Sequence, residues 1–186
     1  MPFKFFCLTD NPNDINPNVH TIELPRFLSG WWCKPYIFSD QLPINGTILY
    51  LDLDLVIAQN IDNMFLYCPN DWCVIRDFTR HIRPDWKKYN SSVIRFRSGQ
   101  LNKLWSDYSK DYKGIQARFF GDQDWLYDAS NRANMPGQLF PDNWVRSWKW
   151  EIRRSKEFEA GRVKGERIFK DIEHIEPPKD CLITVF

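Results

Sequence analysis

The chain has 186 residues, 43% of them hydrophobic and 26% charged, which suits one soluble domain with a sizeable core. A formal net charge of +1 argues against nucleic acid or an anionic membrane surface as a partner, and no apolar run has membrane-spanning length or the pattern of a signal peptide. Five scattered cysteines, Cys7, Cys33, Cys68, Cys73 and Cys181, include no Cys-x-x-Cys pair, which excludes a zinc ribbon and points to reduced thiols in a cytoplasmic setting. Without a secretory signal, the sequons Asn45-Gly46-Thr47 and Asn90-Ser91-Ser92 read as chance.

In chain order, Phe3 to Leu8 reads as a strand, Thr9 to Asp14 as a turn, and Val19 to Leu24 as a second short strand. Gly30 to Phe38 carries apolar residues at helical spacing, with Pro35 placed in a first turn. Asn45-Gly46 is a turn signal, and the apolar run Ile48 to Leu51 after it predicts a buried strand of a parallel sheet. Ile61 to Tyr67 is a short helix or turn. Trp72 to Arg76 and Ser92 to Phe96 are strands. A helix runs from Arg97-Ser98-Gly99 to about Lys110, with Leu101, Leu104, Trp105 and Tyr108 on one stripe.

A further helix opens at Gly121 to Tyr127, where early acids suit the helix N-terminus. Leu139-Phe140-Pro141 begins a loop or strand followed by Trp144, Trp148 and Trp150. The chain's nine Trp and fourteen Phe belong mostly in a core, although sugar sites also use aromatic faces. From Arg146 to Lys170 nine basic residues face four Glu, which reads as a solvated helix or hairpin, or as a basic face for a phosphate-bearing ligand. Leu182 to Phe186 is a last strand. Strands alternating with helices predict an α/β fold.

Three polar clusters stand near strand ends: Asp52 with Asp54, Asn90-Ser91-Ser92, and Asp122-Gln123-Asp124. Carboxylates two apart on an extended chain share a side. Burying both is costly without a cation, and hard oxygen ligands suit Mg2+ or Mn2+. Together with Lys34, these clusters would form one pocket for a metal-bound diphosphate and sugar hydroxyls. The plain structural alternatives are solvated acids at a strand end, Asn90 as a turn residue, Asp122 as a helix cap and Lys34 as an exposed side chain.

The stretches Phe6-Cys7-Leu8-Thr9-Asp10, Gly30-Trp31-Trp32-Cys33-Lys34, Leu49-Tyr50-Leu51-Asp52-Leu53-Asp54, Tyr89-Asn90-Ser91-Ser92-Val93 and Gly121-Asp122-Gln123-Asp124 occur in an order that resembles nucleotide-sugar glycosyltransferases of the GT-A fold, near the family-8 type. The resemblance covers about residues 3 to 150. It implies a single GT-A-like α/β domain over 1–186 with a mixed, mostly parallel sheet flanked by helices. It also implies transfer of a sugar from a nucleotide-diphosphate donor to a glycan, lipid or protein acceptor. By the same resemblance Asp52 and Asp54 hold Mn2+ or Mg2+ with the diphosphate, and Lys34 faces the phosphates. Asn90 and Ser91 line the donor sugar, and Asp122 and Gln123 hold its hydroxyls near the anomeric carbon. Gln123 and Asp124 are the candidates for catalysis.

Two departures stand out. Members of the group begin with another βα unit, and they carry a His-Gly segment with a downstream Lys-Pro beyond the last strand. Neither is present here, and His20, His81 and His174 do not match that segment. The chain thus reads as the middle of a glycosyltransferase, with an exposed sheet edge open to oligomerisation. The alternatives are a non-catalytic carbohydrate-binding remnant and a HAD-like phosphatase with Asp52 as nucleophile. For the phosphatase, Gly121-Asp122 and Asp128 imitate a late acidic motif, while Leu55 stands in place of a small turn residue.

Overall fold

In a computed structural model of the protein, the described residues are 2–152, 162–163, 166–167 and 176–186. The chain opens with β1 (Phe6–Thr9) and β2 (His20–Glu23), a 3-10 segment (Gly30–Phe38), β3 (Thr47–Leu51), β4 (Leu55–Ile57) and α1 (Asp62–Leu66). Then come β5 (Cys73–Arg76), a 3-10 turn (Phe78–His81), β6 (Tyr89–Arg97), α2 (Asn102–Lys110), α3 (Tyr112–Arg118) and α4 (Asp122–Arg132). The remainder holds β7 (Gln138–Leu139), β8 (Val145–Ser147), a single π turn (Trp148–Ile152), the paired β9 (Arg162–Val163) and β10 (Glu166–Arg167), and β11 (Ile183–Val185). Most of the basic stretch up to Lys170, and His174, lie outside the described residues.

The class is mixed α/β. The central sheet has the order β3-β6-β5-β7, and a three-stranded sheet β4-β11-β8 and a parallel pair β1-β2 accompany it. The expectation of a parallel environment for β3 is corrected: it pairs only with β6 among the described residues, and antiparallel, from Thr47 opposite Arg97 to Leu51 opposite Val93. Its side chains are consequently half-buried rather than enclosed. An apolar run without a polar face also arises when both faces of an edge strand are packed, and that is the case here. The turn before β3 behaves as its sequence dictates, since Gly46 has φ 100°, a region that side-chain-bearing residues rarely enter.

Strand periodicity divides the apolar residues between two cores. On one face Ile48 and Tyr50 of β3, Ile94 and Phe96 of β6 and Val74 of β5 meet α2, α4 and the 3-10 segment. On the other face Leu49, Leu51, Val93, Cys73 and Ile75 pack with Met64, Phe140, Val145 and Ile183. The stripe foreseen on α2 is buried in full, with Leu101, Leu104 and Tyr108 at 1% exposure or less and Trp105 at 8%. Each such side chain contributes about 1.5–3 kcal/mol on leaving water. Arg95 interrupts the apolar pattern of β6 at 1% exposure; its guanidinium donates to the carbonyls of Tyr67, Cys68 and Asp71, and these offset the burial of its charge.

Two local expectations shift. Pro35 sits past the middle of the Gly30–Phe38 segment, not in its first turn. A 3-10 segment loses a single i→i−3 bond to a proline, so the segment continues. Strand β6 starts at Tyr89, so Asn90-Ser91-Ser92 lie inside the strand rather than beside it. No helix among the described residues is long and apolar enough to cross a membrane.

Candidate active site at the end of strand β3

Antiparallel pairing puts the start of β6 beside the end of β3, and the Asp52 N–H donates to the Ser92 carbonyl at 2.9 Å. The polar cluster of β6 therefore reaches the site from the amino end of its strand, not the carboxyl end. The first turn of α4 packs against β6, and the 3-10 segment packs against α4. These four elements converge on a cleft of about 290 Å³ lined by Trp31, Lys34, Asp52, Ser91, Ser92 and residues 120–124.

Lys34 is at its centre. Its Nζ lies 3.0 Å from Asp52 Oδ2 and 3.3 Å from Asp122 Oδ2, and it donates to Ser91 Oγ at 2.9 Å. Ser91 Oγ in turn donates to Asp122 Oδ2 at 2.6 Å. The side chains of Lys34 and Asp122 are 9% and 10% exposed, and that of Asp52 is 21% exposed. Two largely buried carboxylates thus share one ammonium, the condition under which such burial is tolerated. The other Asp52 oxygen accepts from the Tyr50 hydroxyl at 2.7 Å. Burial, and then the Asp52 charge, push the Tyr50 phenol well above its ordinary pKa of 10.0 and keep it a donor.

A second group lies alongside. Asn90 Nδ2 donates to Gln123 Oε1 at 3.5 Å, and Gln123 Nε2 donates to Asp77 Oδ2 at 3.4 Å. Lys88 Nζ sits 3.3 Å from Asp124 Oδ1 and lies over the Trp86 ring. The structure therefore brings Lys34, Asp52, Ser91 and Asp122 into one network, and sets Asn90, Gln123 and Asp124 beside it.

Asp54 does not join them. The backbone bends at Leu53 and Asp54, so the same-side rule for an extended chain does not apply there. Asp54 is exposed and outside the cleft lining, and its carbonyl accepts from the Phe186 N–H. Among the described residues no three His, Cys, Asp or Glu side chains gather as a metal site. A second cleft of about 250 Å³, between Phe38, Ile44, Ile48 and Phe96, has Asp40 as its single ionisable lining residue among the described residues.

Sequence reasoning missed Tyr50, Asp77 and Lys88, which hold Asp52, Gln123 and Asp124. It also missed the roles of Trp31 and Phe120 at the cleft mouth. Tyr50 carried a signal, being two residues before Asp52 on a strand. Trp31 carried another, since residues three apart eclipse in a 3-10 segment and Lys34 follows at that spacing.

No protein-family model matches the chain, and no curated protein matches its sequence. Solved structures do match its fold. Mouse xyloside xylosyltransferase 1 superposes with a TM-score of 0.52 at 14% identity, covering 90% of this chain and 74% of that one. The galactosyltransferase LgtC, solved with donor and acceptor sugar analogues, gives 0.53 at 12% identity, covering 95% and 69%. The glycosyltransferase GlyE of Streptococcus pneumoniae gives 0.51 at 14%, covering 74% of this chain and 34% of that one. The fold is that of GT-A-type glycosyltransferases.

Proposed function

We propose that this chain carries the donor-binding centre of a nucleotide-sugar glycosyltransferase. The observation that carries the reading is Lys34, whose ammonium is held between Asp52 and Asp122 at the end of β3 in a GT-A-type fold. The reaction breaks the bond between the anomeric carbon and a diphosphate oxygen and forms one to an acceptor hydroxyl oxygen. The departing diphosphate gains negative charge, and the Lys34 cation is positioned to receive it. Asp122, Gln123 and Asn90 supply carboxylate and amide groups for the sugar hydroxyls. By the family resemblance, Gln123 and Asp124 are the candidates for catalysis at the anomeric centre. The acceptor proton leaves with the diphosphate or passes to one of these carboxylates.

Among the described residues the cleft lining holds three carboxylates, Asp52, Asp122 and Asp124, against the single ammonium of Lys34. An unaccompanied diphosphate would meet a net negative surface. That charge balance fits a divalent cation, Mn2+ or Mg2+, entering with the donor. Asp52 and the accessible Asp54 would hold it together with phosphate oxygens, as Mg2+ commonly binds through one or two carboxylates plus substrate phosphates. The cation would supply charge neutralisation at the leaving group. In the phosphatase alternative Asp52 would be the nucleophile, and trapping of a metallofluoride phosphoryl analogue by Asp52 would favour it.

Calorimetry with a panel of nucleoside diphosphates, with Mn2+ and with chelator, tests the reading. Binding is expected to strengthen with the metal, and Asp54→Ala is expected to abolish that gain. In a transfer assay, Gln123→Ala and Asp122→Asn are expected to lower turnover more than nucleotide affinity, as interactions made in the transition state do. Absence of nucleotide binding under every condition refutes the proposal.

A further inference from the structure

We propose that Trp31 and Phe120 form an aromatic rim that receives the acceptor as a neutral pyranose, stacked through its C–H face at the mouth of the cleft. This deepens the transferase reading and rests on it. Trp31 and Trp32 are adjacent, yet they part company. Trp32 turns into the core and stacks on Tyr108 at 5.9 Å between centroids, whereas Trp31 stays 57% exposed. Phe120 is 90% exposed although Asp122, two residues on, is buried. Both aromatics line the same cleft, along with Gln123 and Asp124. Trp31 also lies beside the segment that carries Phe120: a Cβ on Gly121, the next residue, would lie 4.0 Å from Trp31 Nε1.

The chemistry of the occupant follows from this lining. A pyranose ring has an apolar C–H face beside a fringe of hydroxyls. The rim offers two flat apolar surfaces beside a carboxamide and a carboxylate, which accept from hydroxyls. Charge selects a neutral ring. Lys34 is already shared by Asp52 and Asp122, and Lys88 lies against Asp124, so among the described residues an anionic acceptor meets carboxylates without an uncommitted cation in the lining. Depth selects acceptor over donor. The groups assigned to the donor are the inner ones, Lys34 for its diphosphate at 9% and Asp122 for its sugar hydroxyls at 10% side-chain exposure, and the aromatics are the outermost.

The test uses the full chain and four kinds of probe: neutral methyl pyranosides of several configurations, the corresponding uronic acids, nucleoside diphosphates and intact nucleotide sugars. Binding is followed through the indole N–H resonances, with Trp31 assigned from Trp31→Phe. A neutral glycoside is expected to shift the Trp31 resonance saturably. Trp31→Ala and Phe120→Ala are each expected to weaken glycoside binding at least about tenfold, roughly 1.4 kcal/mol, and to change nucleotide affinity less than about twofold. Both positions are exposed, so neither variant removes core packing.

Three results overturn the proposal: no shift of Trp31 with any free glycoside, tighter binding of the uronic acids than of the neutral rings, or a Trp31 shift confined to nucleotide sugars, which would assign the rim to the donor. Glycoside binding on the rim in a chain that binds no nucleotide would keep the rim and refute the transferase reading.

Discussion

Replacing Lys34 by Met tests whether the centre of the cleft is organised as described. The substitution keeps an unbranched chain of similar length and removes one positive charge that is 9% exposed. It leaves Asp52 and Asp122 facing each other without a cation. Breaking a buried ion pair by removing one partner costs about 3–5 kcal/mol. Two features reduce that figure here: Asp52 is 21% exposed and keeps the Tyr50 hydroxyl, and Asp122 keeps Ser91. A net loss of about 2–3 kcal/mol is expected, which lowers the melting midpoint of a chain this size by about 4–12 °C.

The companion variant Asp122→Asn removes one of the two stranded charges. In the double variant the penalty of Lys34→Met is therefore expected to be partly recovered, with a coupling of about 1–3 kcal/mol. Thermal and urea denaturation of the wild type, both single variants and the double variant measure it. A single-variant loss below about 0.5 kcal/mol, or additivity of the two substitutions, would show that the ammonium is not committed to these carboxylates. Surface pairs behave in that way.

Further expectations follow from particular contacts. Tyr50→Phe removes the donor to Asp52 and is expected to cost about 1–2 kcal/mol. The Tyr50 phenol is raised above 10.0 in the folded state, so its contribution is complete below the unfolded value and is lost as pH rises past it. Alkaline denaturation above about pH 10 is therefore expected to be shallower in Tyr50→Phe, and an unchanged alkaline limb counts against the Asp52 contact. Gly137→Ala would place a Cβ 2.7 Å from the Trp72 ring, so a loss of about 1–3 kcal/mol is expected in denaturant melts; a neutral effect would mean the ring yields freely. Among the described residues β1 and β3 each have one strand neighbour, and Phe3 and Phe5 are 74% and 53% exposed. Unpaired edges recruit other chains, so light scattering at rising concentration is expected to report self-association, and a monodisperse monomer throughout refutes it.

Much of the fold was legible because it rests on local signals. The α2 stripe, the early acids of α4 and the Asn45-Gly46 turn all follow from spacing and backbone preference, and the structure reproduces each. The pairing sense of β3 was not legible. An apolar run reports that a strand is packed on both faces, but not which neighbour it has or in which direction that neighbour runs. The extent of β6 was hidden for a related reason. Asn90, Ser91 and Ser92 have turn-like propensity, and their place in the strand is set by tertiary contacts that override local preference: Asn90 pairs with Ile75 of β5, Ser91 and Ser92 fall where the β5–β6 register shifts, and the Ser92 carbonyl accepts from the Asp52 N–H.

The site divides along the same line. Lys34, Asp52, Ser91 and Asp122 are each ordinary in their own stretch, yet a resemblance carried by several stretches at once grouped them. The residues that orient them stayed invisible, because Tyr50, Asp77 and Lys88 differ from other tyrosines, acids and lysines only in what they face. Asp54 marks the opposite case. The paired-carboxylate argument requires an extended backbone through Leu53, but the chain must bend there to pass from the central sheet into β4, which pairs with β11 in another sheet. That bend leaves Leu53 98% exposed and Asp54 outside the cleft lining. A cation bridging Asp52 and Asp54 would have to come with a ligand that spans the bend. A diphosphate has the charge and the oxygen donors to do so, which makes metal affinity in the absence of nucleotide the sharpest discriminator: weak for the metal alone, strong for the metal with nucleotide.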